Sequence, residues 1–192
     1  TAASGETAHL VRVEDQEGIS QVAFPVLGSA AAARRGPPRP LPPNPRMNIS
    51  GMEKAVTARL NMQGGAMGTL DAAILDGERK SFRQLVDANQ FWAFNGTIGM
   101  TDTPLVSVSE GETIKLEIYN DTSFPHAMHL HGMHFREVTK DAGLRPFRDT
   151  LLMFGGETRT IAFVADNPGK WLFHCHMLSH ADSGMMTWLE VT

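Results

Sequence analysis

The sequence predicts an all-β protein whose main body is a β-sandwich. The clearest observation is residues 114–118, where Ile, Leu and Ile alternate with Lys and Glu. Such a period of two is typical of a strand with one buried face. Turn signals follow at Gly155-Gly156 and at 167–169, so apolar runs recur about every ten residues. Short strands separated by frequent turns favour two packed sheets.

The N-terminal part predicts elements of another domain. Apolar runs at 10–13 and 22–27 predict two strands, which are too few to be stable alone. From Gly36 to Arg46 six of eleven residues are proline, and such a segment favours extended geometry. We therefore expect three parts: strands of a preceding domain at 1–28, a proline-rich linker at 29–54, and the main domain at 55–192.

Further strands of the main domain follow from apolar runs bounded by turns. A hairpin-type turn is predicted at Asn95-Gly96. The single predicted helix is the polar segment from Gly77 to Ala88, which has no clean apolar stripe. The predicted strands lie at 91–94, 114–118, 159–164, 171–176 and 187–191.

Composition excludes several classes of protein. The 192 residues carry a net charge of −4, unlike a basic nucleic-acid-binding domain, so we expect no nucleic-acid partner. No stretch approaches the roughly 18 apolar residues of a membrane-spanning helix, so we expect no membrane span. The single cysteine, Cys175, cannot form a disulfide within the chain.

Histidines are concentrated in the last third of the sequence. Seven of the eight lie between His126 and His180, and Cys175 lies among them. Three fall in the segment 126–131 and three in the segment 174–180, while His134 lies outside both and is predicted not to be a ligand. Histidines scattered over a surface would not segregate in this way.

Strand parity sorts these side chains into two groups, because side chains alternate between the faces of a strand. Cys175 shares its face with Phe173, which we expect to be the core face, so the histidines on either side of Cys175 point away from the core. In the earlier segment, residue 126 has the opposite parity to 129 and 131. The first group is Cys175, His126 and His180, and the second is His129, His131, His174 and His176.

The first group has the ligand set of a mononuclear blue-copper site. Two imidazoles and one thiolate bind copper in such a site, and a methionine is a weak axial ligand. Cys175, His180 and Met185 follow one another at C-x4-H-x4-M spacing, and His126 comes from a distant strand. Apolar residues beside the thiolate would exclude water and tune the potential.

The second group consists of two H-x-H pairs, each of which can hold two metal ions. Four imidazoles cannot complete a multi-copper cluster, since each copper needs two or three. His174 and His176 each adjoin Cys175 in sequence, so these three predicted catalytic residues form a short covalent path for an electron. This arrangement suits an enzyme that takes electrons singly and delivers them together to an acceptor such as dioxygen.

The two segments resemble the C-terminal, third cupredoxin domain of bacterial multicopper oxidases, the laccase and copper-efflux-oxidase family. The resemblance covers about Met62 to Thr192. It implies a cupredoxin-like Greek-key β-sandwich, preceded by a partial β segment of another cupredoxin domain. It also implies ligands for each copper: type 1 copper at His126, Cys175 and His180 with Met185 axial, type 2 at His129, and type 3 at His131, His174 and His176.

The resemblance further implies an enzyme with four copper ions when complete. Such an enzyme oxidises phenols, aromatic amines or metal ions in one-electron steps and reduces dioxygen to water. Four more cluster histidines would come from two H-x-H motifs of an N-terminal cupredoxin domain, whereas the one histidine of this chain outside the region 126–180 is His9. We therefore expect this chain to be the C-terminal third of a three-domain oxidase, in a bacterial periplasm or outside the cell.

One departure from the family concerns the delivery of protons. Many bacterial members carry an acid directly after the histidine that matches His180, where this chain has Ala181 and then Asp182. A proton relay through Asp182 and one through the missing domains both remain open.

Other interpretations use the same residues. A zinc site does not need histidines on both sides of a cysteine with a methionine ten residues later. An electron-transfer cupredoxin needs only the first group, and a copper nitrite reductase uses fewer histidines. A copper-resistance or cuprous oxidase protein is favoured by the methionines between Met47 and Met67, whose thioethers are soft ligands for Cu(I). Flexible core filling is the simpler role for these methionines.

Overall fold

The computed structural model describes residues 7–14, 17–25, 39–42 and 48–192. The chain divides into two compact units, Thr1–Pro43 and Asn44–Thr192. In the first unit, β1 (Thr7–Glu14) and β2 (Glu17–Pro25) form an antiparallel hairpin at the positions of the two predicted strands. The end of the second predicted strand, 26–27, and most of the predicted linker, 29–38 and 43–47, lie outside the described residues.

The second unit is built from two five-stranded sheets, and its β-sandwich confirms the predicted fold class. Sheet I has the strand order β10-β12-β8-β3-β6, and sheet II has the order β11-β9-β13-β14-β7. The strands of sheet I are β3 (Val56–Gly64), β6 (Trp92–Phe94), β8 (Thr113–Asn120), β10 (Arg136–Val138) and β12 (Thr158–Val164). The strands of sheet II are β7 (Val106–Val108), β9 (His126–Leu130), β11 (Thr150–Met153), β13 (Gly169–Cys175) and β14 (Met186–Val191).

The core lies between the inner faces of the two sheets. The predicted alternation in β8 is confirmed, since its three aliphatic side chains are fully buried while Lys115 and Glu117 are partly exposed. Sheet II faces β8 with buried side chains of β9 and β13, including Leu130 and Phe173. Every second side chain of β9 and β13 is therefore fixed in the core, and the residues between them point outward.

The predicted helix at 77–88 is wrong in its first half. Residues 72–75 and 78–81 form a small antiparallel hairpin, β4 (Ala72–Leu75) and β5 (Glu78–Ser81). Asp76 and Gly77 both have positive φ, at 53° and 78°, and Asp-Gly is a strong signal for a tight hairpin turn. The helix α1 runs only from Phe82 to Asp87, and it begins at Phe82 because Ser81 and Gln84 form a capping box.

A second short helix, α2 (Leu178–Asp182), follows β13 and precedes β14. It occupies the segment between Cys175 and Met185 and brings His180 back toward the end of β13. Within the described part of the chain, no helix is both long enough and apolar enough to cross a membrane.

Candidate metal centre

The pairing of β9 with β13 brings the two histidine segments together. The strands are antiparallel, with Phe173 opposite Leu130, His174 opposite His129 and Cys175 opposite Met128. Cys175 and His126 are fully buried, whereas His129 is only partly buried and His176 is exposed. The structure thus separates the two groups of side chains on opposite faces of sheet II, as strand parity predicts.

The inner group, His126, Cys175 and His180, forms a compact triad of donor atoms. His126 Nδ1 lies 3.9 Å from Cys175 Sγ and 3.1 Å from His180 Nδ1, and Cys175 Sγ lies 3.8 Å from His180 Nδ1. Among the described residues this is the one group of three or more His, Cys, Asp or Glu side chains whose donor atoms converge within 4.8 Å.

Met185 completes the set of residues that the sequence predicts for this site. Its side chain is fully buried, and its backbone bridges the other ligands. The N–H of Cys175 donates to the Met185 carbonyl at 3.1 Å, and the Met185 N–H donates to the His180 carbonyl at 2.9 Å. These two bonds hold the C-x4-H-x4-M segment as a closed loop that carries two members of the triad.

Burial sets the protonation states of the triad. Burial, reinforced by the nearby ring of His180, lowers the pKa of His126 from its ordinary value of 6.5 to about 4. Burial also lowers the pKa of His180 and raises the pKa of the Cys175 thiol. At neutral pH the two imidazoles are therefore uncharged and present nitrogen lone pairs, which is the state that binds a metal ion.

An indole covers the triad. The Trp92 ring lies 4.6 Å from the His180 ring and 4.8 Å from the His126 ring, measured between centroids. The backbone turns sharply at Gly64 and Gly65, which both have positive φ, and a Cβ on Gly65 would lie 2.4 Å from the indole. Trp92 is thus held between a glycine corner and the two imidazoles, where it covers one side of the triad.

The outer group, His129, His131, His174 and His176, forms a cluster of imidazoles on the other face of sheet II. His131 Nε2 and His174 Nε2 lie 3.0 Å apart, and the His129 ring lies 4.9 Å from the His131 ring and 5.2 Å from the His176 ring. Burial, and then the neighbouring histidines, lowers the pKa of His131. Four imidazoles thus lie close together on one face of the sheet, as the sequence predicts for the second group.

Hydrogen bonds to carbonyl oxygens fix which nitrogen two of these imidazoles present. His129 Nδ1 donates to the Asp149 carbonyl at 3.0 Å and contacts Thr150 Oγ1 at 3.0 Å, and His174 Nδ1 donates to the Cys175 carbonyl at 2.8 Å. A carbonyl oxygen can only accept a hydrogen bond, so Nδ1 carries the hydrogen in both rings. Nε2 therefore carries the lone pair that can bind a metal ion. The last of these bonds also links the inner and outer groups.

Several of these neighbours carry no signal in the sequence. Thr122 and Asn120 are buried beside His126, and Trp92 covers the triad. Asp149, directly before the edge strand β11, reaches His129 through its carbonyl. Trp92 and Asp149 are distant in sequence from the histidines they contact, whereas Thr122 lies only four residues before His126. The predicted relay residue, Asp182, is exposed on α2, and within the described residues no hydrogen bond to its carboxylate is seen.

The comparison with known proteins decides the family. A family model described as multicopper oxidase matches residues 77–192, which is more than half of the chain. The chain belongs to the multicopper oxidase family. The predicted resemblance to this family is confirmed, although its placement as the C-terminal domain stays a prediction.

The relatives that this chain matches are considerably longer proteins, and the chain spans less than half of the length of each. The chain is 34% identical over 100 residues to copper resistance protein A of Pseudomonas syringae pv. tomato, covering 52% of this chain and 16% of that protein. It is 35% identical over 99 residues to multicopper oxidase MmcO of Mycobacterium tuberculosis, covering 52% of this chain and 19% of that protein. The structure of Lac15 from a marine microbial metagenome matches 97% of this chain and 39% of its own, with 33% identity and a TM-score of 0.58.

Copper is the cofactor of this family, and the inner triad fits it. The three distances between donor atoms are 3.1, 3.8 and 3.9 Å. A triangle with sides of about 3.6 Å has its centre about 2.1 Å from each corner, close to nitrogen and sulfur bond lengths of about 2.0 to 2.3 Å to a first-row metal ion. Two imidazoles and a thiolate are also the donor types of a blue-copper site, whose weak axial thioether the sequence assigns to the buried Met185.

Proposed function

We propose that this chain supplies the electron-accepting copper site and one wall of the oxygen-reducing site of a multicopper oxidase. The observation that carries the proposal is the division of seven candidate ligands between the two faces of sheet II, with Cys175 on the inner face and its two neighbours on the outer face. The proposed ligands are His126, Cys175, His180 and axial Met185 for type 1 copper, His129 for type 2, and His131, His174 and His176 for type 3.

When bound, copper supplies one-electron oxidation at the inner site and, in the completed cluster, four-electron reduction of dioxygen to water. The residues of the chain control how a substrate reaches the inner site and how the inner group is connected to the outer group. His180 is the partly exposed member of the triad, so its ring edge is where a small reducing substrate can approach. Cys175 joins the groups through its bonds to His174 and His176 and through the 2.8 Å hydrogen bond from His174 to its carbonyl.

Exposed side chains on the outer face of sheet II favour a further domain that packs against it. His131 and His176 are exposed, and the side chains of Leu152 and Phe154, at and just past the end of the edge strand β11, are 50% and 54% exposed. Leu152 lies beside Ala127 in the same sheet, next to His176, whose N–H donates to the Ala127 carbonyl. A domain that carried two H-x-H motifs would cover this apolar rim while supplying the other four imidazoles.

This proposal gives the parts of the chain their roles. Residues 1–28 are the last strands of a preceding cupredoxin domain, 29–54 are the linker, and 55–192 are the C-terminal domain. The chain spans 16% of the copper resistance protein it resembles, so oxygen and the reducing substrate are partners of the larger protein. We propose a bacterial periplasmic or extracellular location for it.

A second candidate, oxidation of Cu(I) in copper resistance, rests on exposed thioethers. Met67, Met100 and Met177 are 83%, 54% and 41% exposed, and thioethers are soft ligands suited to Cu(I). A relative carries the name copper resistance protein A. Comparing turnover with Cu(I) and with a bulky phenol separates this function from laccase activity.

The test of the proposed function uses the complete protein that contains this chain. We expect four coppers per molecule, a blue colour and oxygen consumption with a phenol or an aromatic amine. Cys175→Ser should abolish the colour and the turnover, whereas His134→Gln, an exposed histidine outside both groups, should change neither. One copper per molecule would instead indicate an electron-transfer cupredoxin, and two per subunit a nitrite-reductase-type protein.

A further inference from the structure

The ring nitrogen of His126 that faces away from the triad contacts a buried polar network. His126 Nε2 lies 2.8 Å from Thr122 Oγ1, and Thr122 Oγ1 lies 2.7 Å from Asn120 Oδ1. All three side chains are buried. In such a network every proton has to be accounted for, because a buried polar group without a partner costs about 1 to 3 kcal/mol.

The amide of Asn120 has only one satisfactory orientation. Its Nδ2 donates to the Phe124 carbonyl at 2.8 Å, and its Oδ1 accepts from the Thr122 N–H at 3.1 Å. The flipped amide would place an oxygen against the carbonyl and an NH₂ group against the N–H, so both hydrogen bonds would be lost. Asn120 therefore presents an oxygen to the Thr122 hydroxyl.

This orientation decides the direction of the remaining hydrogen bonds. Two oxygens at 2.7 Å need a proton between them, and the amide oxygen of Asn120 has none to give. The Thr122 hydroxyl thus donates its single proton to Asn120 at 2.7 Å rather than to the more distant Phe124 carbonyl at 3.2 Å. Since either oxygen can only accept, the hydroxyl oxygen in turn accepts from His126 Nε2 and from the Phe124 N–H at 3.2 Å. Nε2 therefore carries the hydrogen of the neutral imidazole, and Nδ1 carries the lone pair.

We propose that Asn120 and Thr122 are positioning residues, which hold His126 as the Nε2–H tautomer and direct the Nδ1 lone pair at Cys175 and His180. Without metal, this lone pair can accept a hydrogen bond from His180 Nδ1, 3.1 Å away. The directions of these hydrogen bonds are a property of the metal-free chain. Only the role of His126 as a copper ligand rests on the proposed function. A hydrogen-bond acceptor on the far nitrogen also raises the basicity of an imidazole ligand.

The first test reads the tautomer of His126 directly in the metal-free chain. Two-bond ¹H–¹⁵N correlation spectra of the ¹⁵N-labelled 192-residue chain distinguish a protonated ring nitrogen from one with a lone pair. The expected result at neutral pH is an Nε2–H signal for His126. An Nδ1–H tautomer, or an equal mixture of the two, would overturn the proposal whether or not the chain binds copper.

The second test removes the hydroxyl and measures copper binding. Thr122→Val keeps the shape of the side chain but leaves the Nε2–H of His126 without an acceptor. We expect mixed tautomers without metal and a loss of about 10- to 100-fold in Cu(II) affinity at the inner site, followed through its blue colour. If Cu(I) affinity is unchanged, each tenfold loss raises the one-electron midpoint potential by about 59 mV.

Two further variants separate positioning from stability. Thr122→Ser keeps the hydroxyl and should restore the tautomer, the affinity and the potential. Thr113→Val removes another buried hydroxyl, which donates to the Ser50 carbonyl away from the triad, and should leave all three unchanged. Wild-type values in Thr122→Val, or equal effects of Thr113→Val and Thr122→Val, would refute the proposal. If Thr122→Val does not fold, the wild-type tautomer and the Thr122→Ser variant still decide it.

Discussion

Acidification of the metal-free chain tests the burial of His126, on which the inner site depends. Burial lowers the pKa of this imidazole from 6.5 to about 4. Between these pH values the unfolded chain binds a proton on the ring that the folded chain does not bind. The free energy of unfolding is therefore highest above about pH 6.5, where the imidazole is neutral in both states. It falls by about 3 kcal/mol as the pH is lowered to about 4.

The assay is urea unfolding of the metal-free chain at pH 7 and at pH 4, compared between the wild type and His126→Gln. The glutamine cannot titrate, but its amide NH₂ can still donate to Thr122 Oγ1 in place of the imidazole Nε2–H. Carboxylates and the other histidines titrate in both chains, so the difference between the two pH effects isolates His126. We expect the wild type to lose about 3 kcal/mol more than the variant on acidification.

The control is His134→Gln, which removes an exposed histidine and should show the wild-type pH effect. An equal loss of stability in the wild type and in His126→Gln, within about 0.5 kcal/mol, would refute the reasoning. It would mean that the imidazole of His126 is accessible to water in the folded chain, which an occluded copper ligand should not be.

Two further predictions concern packing around the site. Phe173→Ala should lower the free energy of unfolding in urea by about 3 to 5 kcal/mol, because it leaves a cavity beside the triad. Leu152→Ala on the exposed edge should lower it by less than about 0.5 kcal/mol. Similar losses in the two variants would contradict the assigned core. Gly65→Ala should lower Tm and shift the fluorescence of Trp92, since the new Cβ would lie 2.4 Å from the indole. Gly77→Ala is the matched control, with similar positive φ but open space, so it should lower Tm less and leave that fluorescence unchanged.

The sequence was most informative where one local rule governs the structure. Strand alternation placed Cys175 inward and His174 outward without any knowledge of their partners, because the period of a strand is fixed at two. The spacing from Cys175 to Met185 likewise limited the loop enough to predict the inner group. The pairing of His174 with His129 is a long-range contact, and only the resemblance between the two segments and a known family implied it.

Contacts that depend on tertiary structure were beyond sequence reasoning. Trp92 lies in a short apolar run that indicates ordinary core. Thr122 and Asn120 are close to His126 in sequence, but they stand in a polar stretch that indicates a loop, and nothing in that stretch marks them as partners of the imidazole. Asp149 reaches His129 only because β11 pairs with β9 in a particular register. The Asp76-Gly77 turn was a readable signal that the helix prediction overlooked, so that error was one of interpretation rather than of missing information.

The central claim is that His126, Cys175, His180 and Met185 hold a type 1 copper, and a Cu(II) titration of the 192-residue chain tests it most directly. We predict a strong visible absorption from a copper–thiolate bond that saturates at one equivalent, even where the outer histidines bind further copper. Cys175→Ser should abolish this absorption, and His134→Gln should keep it. A chain that binds copper without the absorption, or an absorption that survives in Cys175→Ser, would contradict the claim.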